Sequence, residues 1–305
     1  MSKEPQYPKR RYGMDHDLYP WSMLETRPIF SWPEGKRIAL WINVAIEHFP
    51  LDAKGRGFKP QGAMSMPYPD LRHYTLRDYG NRIGIFRILE ALSQRGLPAS
   101  LAVQGEVVER YPALAKRLAA TPHEWVAHGW NMDSMHFGGL PEEEERALIE
   151  RTLMTLRRFA PHPITGWLSP ARSQSHATLR LLGEAGIRWC ADWVNDEQPY
   201  RIAGLINLPL SLELEDRFVI LENLHAESEW ADQVEDAVEF LIRESRELPH
   251  ARVLGLSLHA WVIGHAHRIA HLERVLDHLE ARSALLWPAN PSAIIAHWQA
   301  AQEAS

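Results

Sequence analysis

The stretch from Arg37 to His48, RIALWINVAIEH, constrains the fold most. It is rich in Ile, Val and Trp and has very little polar content. Such a run predicts a strand buried on both faces, as in a parallel sheet or barrel. It ends abruptly in Glu47 and His48. A carboxylate and an imidazole at the carboxyl end of a buried strand sit where α/β proteins keep their chemistry. The alternative is a strand running out into solvent. Four later apolar runs also end in His, Arg or Asp, and that repetition favours a site.

The rest of the chain alternates strands with helices. Residues 1–36 hold five prolines, several aromatics and no clear period; they are expected to form an extended arm over the body or a neighbouring subunit. A Gly-, Pro- and Met-rich loop is expected over 49–76, a candidate lid. Helices are expected at 78–96, 105–120, 141–160, 174–185, 230–248, 268–282 and 289–300. Strands are expected at 99–104, 124–128, 164–169, 187–193, 252–259 and 285–287, with a hairpin-like excursion over 204–211 and 218–221. This order predicts an α/β fold with a mostly parallel sheet, and one barrel over 37–305 rather than two domains.

Composition narrows the function. The chain has 305 residues, a net charge of −6 and 45% hydrophobic residues, which does not suggest a nucleic-acid or anionic-membrane surface. The lone cysteine, Cys190, forbids an internal disulfide and fits a reducing compartment. No apolar run approaches membrane-spanning length, and the N-terminus lacks a secretory apolar segment. A cytoplasmic protein is expected.

The carboxyl ends of the predicted strands bring Glu47-His48, His128, Ser169 to Arg172, Asp192 and His259 to one face of a parallel barrel. Such a set supports hydrolysis. Glu47 would be a general base toward water and His259 a general acid toward a leaving nitrogen. Arg172 would orient Glu47 or bind an anionic group, and Asp192 would orient a histidine or the arginine. Each also has a structural reading: Asp192 as a loop cap, Arg172 as an ion pair, His259 as a core histidine. His265, His267 and His271 read as helix-start and surface residues.

Five ordered segments resemble the polysaccharide deacetylase (NodB-homology) superfamily over about residues 32–300. They are Ala45-Ile46-Glu47-His48, His128-Gly129-Trp130-Asn131-Met132, Leu168 to Arg172, Asp192-Trp193, and Leu256-Ser257-Leu258-His259. The resemblance implies a distorted (β/α) barrel. In metal-dependent members an Asp and two His hold Zn²⁺ or a similar ion. Here His48 stands at the metal Asp and Met132 at the second His, and a thioether suits such an ion poorly. The chain is similar to the metal-independent allantoinases in His128-Gly129, Gly166-Trp167, the His259 to Ile263-Gly264 segment, and Trp32 to Leu40.

The expectation is a hydrolase of a non-peptide C–N bond in a small polar substrate, by ring opening or N-deacylation. Glu47 is the base, His259 the acid, and Arg172 and Asp192 hold them. His128, backbone N–H groups and a bound ion, if any, stabilise the oxyanion. His128, Trp167, Trp193 and Trp261 are the candidate substrate-binding residues. No cofactor is firmly implied; one divalent ion such as Zn²⁺ would sit on His48 and His128. One rival is a metal-dependent deacetylase of N-acetyl carbohydrates, placing the chain in carbohydrate metabolism. Another is a catalytically inactive ligand-binding barrel. The resemblance also implies a homo-oligomer.

Overall fold

The computed structural model describes residues 12–56 and 69–303. Nine strands form one curled sheet: β1 (Ile38–Ile46), β2 (Ser100–Val103), β3 (Glu124–Ala127), β4 (Gly166–Trp167), β5 (Trp189–Cys190), β6 (Tyr200–Ile202), β7 (Leu205–Asn207), β8 (Arg252–His259) and β9 (Leu286–Pro288). Their spatial order is β6-β7-β5-β4-β3-β2-β1-β8, with β9 also on β1. Every pair is parallel except β6 with β7. The sheet is thus a barrel left open between β6 and β8. Residues 209 and 210 pack across the seam against Gly255, and Val253 N–H donates to the Glu197 carbonyl at 2.7 Å.

Strand alternation sorts the interior from the outer layer. On β1, Ile38, Leu40, Ile42, Val44 and Ile46 face the outer core, packed with the helices. Ala39 and Trp41 face the second core, with Trp189, Val253 and Trp298. That second core is the barrel interior, polar where Trp41 Nε1 donates to Ser100 Oγ and Ser100 Oγ donates to Asn43 Oδ1, both at 2.8 Å. β1 pairs along its length with β8. Its other edge takes β9 near the amino end and β2 near the carboxyl end. Its nine residues are all buried, as the apolar run predicted.

The helices are α1 (Leu71–Tyr79), α2 (Ile85–Gln94), α3 (Gly105–Arg110), α4 (Pro112–Ala119), α5 (Glu142–Leu156), α6 (Thr178–Glu184), α7 (Glu227–Glu247), α8 (Ile269–Ala281) and α9 (Pro291–Glu303). The helix expected from 78 starts instead at Leu71, and a π turn over Gly80–Gly84 interrupts it. The wider turn rotates the buried face. Ile85 and Ile88 join Leu89 and Leu92 in the core, while Ile83 and Phe86 are exposed. Glycine is required in this turn. A Cβ on Gly84 would lie 2.0 Å from the Ala260 carbonyl oxygen, and one on Gly80 would lie 2.6 Å from Trp261 N. The close approach locks the segment after His259 against the turn.

The antiparallel hairpin is β6–β7, turning at Ala203 and Gly204, both with positive φ, as tight hairpin turns prefer. The excursion expected over 218–221 is a π turn, Phe218–Glu222. Of the loop expected over 49–76, residues 57–68 lie outside the described residues, and its last six residues belong to α1. Residues 12–36 cross the body. Arg27 grips Asp196 with two bonds of 2.8 and 2.7 Å, and buried Trp32 donates its indole N–H to the Arg252 carbonyl at 2.8 Å. Among the described residues no helix is long and apolar enough to cross a membrane.

Candidate active site

Alternation also decides which strand-end residues meet. Glu47 continues the inward row of β1, His128 that of β3 and His259 that of β8. All three line a cavity of about 140 Å³ with Arg172, Glu215 and Arg217. Adjacent residues face opposite ways, so His48 points outward. It lies edge-on to Tyr111 with Nε2 3.8 Å from Glu106 Oε1.

Glu47 is 5% exposed and bonded on several sides. Its Oε2 accepts the Trp261 indole N–H at 2.7 Å, and its backbone carbonyl accepts Asn81 Nδ2 at 2.8 Å. The second oxygen, Oε1, lies 3.5 Å from His128 Nε2 and 4.0 Å from His259 Nε2. Burial pushes the carboxyl pKa up, but the His259 charge, His128 and the Trp261 bond outweigh it and hold the group at about 2. Glu47 is a carboxylate at any working pH.

His259 is bound by Asp216 at two points. The backbone N–H donates to both carboxylate oxygens at 3.1 and 2.9 Å, and Nδ1 lies 2.8 Å from Oδ1. Burial pulls the imidazole pKa down, but Glu215, Asp216 and Glu47 together raise it above the usual value. Opposite stands Glu215, whose Oε1 is 3.8 Å from His259 Nε2. Arg217 donates to Glu215 at 2.6 Å and Arg172 at 3.0 Å. Burial raises the Glu215 pKa, and His259, Arg172 and Arg217 bring it below the ordinary range. His128 is oriented from behind: its Nδ1 is 2.8 Å from the Leu168 carbonyl. A carbonyl only accepts, so Nδ1 carries a hydrogen.

The structure therefore brings Glu47, His128, Arg172 and His259 together. Trp261 touches the site through Glu47. Trp167 and Asp192 sit on outward rows behind the cavity. Trp167 donates to Ser169 Oγ at 2.9 Å, and Asp192 accepts from Ser169 and Gln174. Trp193 lines a neighbouring cleft with His16 and Gln174. Sequence reasoning missed Glu215, Asp216 and Arg217. Their signal was three successive charges set directly before the apolar FVIL of 218–221.

Residues 75–190 match the polysaccharide deacetylase family model. Over that segment the chain is similar to the polysaccharide deacetylases. A Schizosaccharomyces pombe protein named for the polysaccharide deacetylases is 22% identical over 315 residues, covering 94% of this chain and 95% of that one. The crystal structure of Puue allantoinase superposes with a TM-score of 0.80 at 22% identity, over 92% of this chain and 98% of the other. That of a probable polysaccharide deacetylase from Pseudomonas aeruginosa PAO1 gives 0.79 at 22% identity, over 90% and 95%. The two superpositions bear out the distorted barrel expected from the sequence.

The donor set does not fit the divalent ion that the resemblance to metal-dependent deacetylases would imply. Of the two histidines expected to share an ion, His128 faces the cavity and His48 faces Glu106 on the other side of the strand. Met132 supplies only a thioether to the cavity wall. Among the described residues no three His, Cys, Asp or Glu are grouped to hold a metal.

Proposed function

We propose that this chain hydrolyses a non-peptide C–N bond in a small polar cyclic amide, with Glu47 as base and His259 as acid. The observation that carries this reading is the facing pair itself. A carboxylate oxygen of Glu47 and Nε2 of His259, whose pKa is raised by its carboxylate neighbours, stand 4.0 Å apart in a small buried cavity. The gap is too long for a hydrogen bond, and a water or reacting atom on its cavity side can touch both.

In this mechanism Glu47 Oε1 takes a proton from water as its oxygen bonds the amide carbon. Arg172 and Arg217, on the cavity wall, supply positive potential for the developing oxyanion. As the C–N bond breaks, His259 Nε2 gives its proton to the departing nitrogen. The proton on Glu47 then returns to His259 across the gap. Asp216 keeps His259 oriented and charged. That role falls to Asp216 rather than Asp192, and Arg172 acts through Glu215. With Nδ1 donating to the Leu168 carbonyl, His128 turns Nε2 toward Glu47 Oε1 and the reacting centre. The fold shared with the allantoinase supports a ring amide as the substrate class.

The test is hydrolysis of allantoin, hydantoin and N-acetylglucosamine oligomers, with and without chelator. The expected result is turnover of a cyclic amide, insensitive to chelator, and reduced roughly 10²–10⁴-fold by Glu47→Gln. Turnover confined to the N-acetyl substrates and abolished by chelator would overturn it in favour of a metal-dependent deacetylase. Binding without turnover would leave a ligand-binding barrel.

A further inference from the structure

The turn that carries Arg172 is strained. Ala171 and Arg172 are consecutive non-glycine residues with φ of 51° and 53°. Left-handed backbone of this kind is unfavourable for residues with a Cβ and persists only where its surroundings impose it.

The surroundings impose it from both sides. Asp192, 8% exposed, accepts Ser169 N–H at 2.7 Å on Oδ1. Its Oδ2 accepts Ser169 Oγ at 2.8 Å and Gln174 Nε2 at 2.6 Å. One carboxylate thus ties the residue before the strained segment to the residue after it. On the inner side, Ser173 Oγ donates to the Pro170 carbonyl at 2.7 Å and accepts His136 N–H at 3.2 Å. Gly129 lies under Pro170 so closely that a Cβ there would be 2.4 Å from the ring. The product of this frame is the placement of Arg172 Nη2 on Glu215.

We infer that Asp192 is a positioning residue: it clamps both ends of the turn in its left-handed form and so keeps Arg172 on Glu215 in the cavity wall. The inference rests on the reading of that cavity given above. Its structural content stands apart from it.

The chemistry of the clamp gives a sharp test. Asp192→Asn keeps one oxygen for the Ser169 N–H, but its new amide donor faces the Gln174 Nε2 donor. Gln174 is held against flipping, because its Oε1 accepts the Trp193 indole N–H at 3.2 Å. The second-site change Gln174→Glu gives the new amide an acceptor. Crystal structures and pH profiles on hydantoin would be taken for the parent, Asp192→Asn and the double variant.

In Asp192→Asn, residues 171 and 172 leave the left-handed region and Arg172 parts from Glu215. kcat/KM falls by about 100-fold, the scale of an ångström of misplacement, with unchanged pH midpoints. The double variant recovers the turn and most of the rate. An intact turn and ion pair in Asp192→Asn overturns the inference. So does a moved pH midpoint, which would put Asp192 in proton transfer, or a double variant that does not recover. If Asp192→Asn does not fold, Gln174→Met cuts the far bond and leaves the carboxylate; an undisturbed Arg172 there overturns the clamp. If the parent hydrolyses no probe, the proposed function fails and the crystal structures alone decide the clamp.

Discussion

Two of the buried histidines at strand ends, His48 and His259, each lie beside a carboxylate, and their pKa values shift in opposite directions. His48 meets Glu106 at 3.8 Å. Burial lowers its pKa, and the attraction of Glu106 does not make up the difference. His259 is buried as deeply, but Asp216, Glu215 and Glu47 surround it and turn the shift upward. At His48 the Arg110 charge beside Glu106 adds to the effect of burial. At His259 three carboxylates outweigh burial. The direction of the shift follows from the sum of the charges around the ring, not from the presence of one partner.

The comparison breaks first at the acid and the base. His259→Ala and Glu47→Gln should each reduce turnover of a cyclic amide by roughly 10²–10⁴-fold, measured as kcat at saturating substrate. His48→Gln should change it by about twofold or less, under about 0.5 kcal/mol of barrier. A large loss at His48 would mean that the outward histidine belongs to the site.

Removing one of the three partners comes next. Asp216→Asn should lower the His259 pKa and bring the alkaline limb of the rate profile down by about one pH unit or more. An unmoved limb would mean that another group is the acid.

The smallest effects are on stability, and they have opposite signs. The raised His259 pKa contributes stability that is complete below 6.5 and is lost as pH rises through its folded value. The lowered His48 pKa acts the other way: the unfolded chain takes up a proton near 6.5 that the fold resists, so stability falls as pH drops below it. Glu47 adds a contribution present above 4.5 and lost as pH falls toward about 2. Denaturation midpoints against pH should therefore flatten on the alkaline side in His259→Gln and on the acid side in His48→Gln. Equal curvature in both variants would contradict the assignment.

Much of this was legible in the sequence, and more than was read from it. Buried strands give themselves away by composition, so β1 and β8 were found nearly residue for residue. Period-two alternation, applied to those runs, already puts Glu47, His128 and His259 on one face and His48, Trp167 and Asp192 on the other. The shared metal site expected of His48 and His128 conflicts with that alternation. β4 and β5 came out shorter than their apolar runs, because the backbone leaves the ladder early: Ser169 N–H goes to the Asp192 side chain. Glu215, Asp216 and Arg217 lie on an irregular segment with no period, so no pattern showed which way they point. The phase of α2 was hidden by a π turn whose reason, the close approach of Gly80 and Gly84 to residues 260–264, is a contact between distant parts of the chain.

The seam between β6 and β8 has a further consequence. A ring of strands that closes fully commits every stave to its neighbours through main-chain bonds, and residues can be added or lost there only by shifting the register of the whole. Here the chain between β7 and α7 is free of that obligation, and it delivers Glu215, Asp216 and Arg217 to the reaction chamber. A change of length or sequence in this segment would alter the electrostatic lining while leaving the pairing of β1 with its three neighbours untouched. This segment is where the scaffold is easiest to retune toward another substrate.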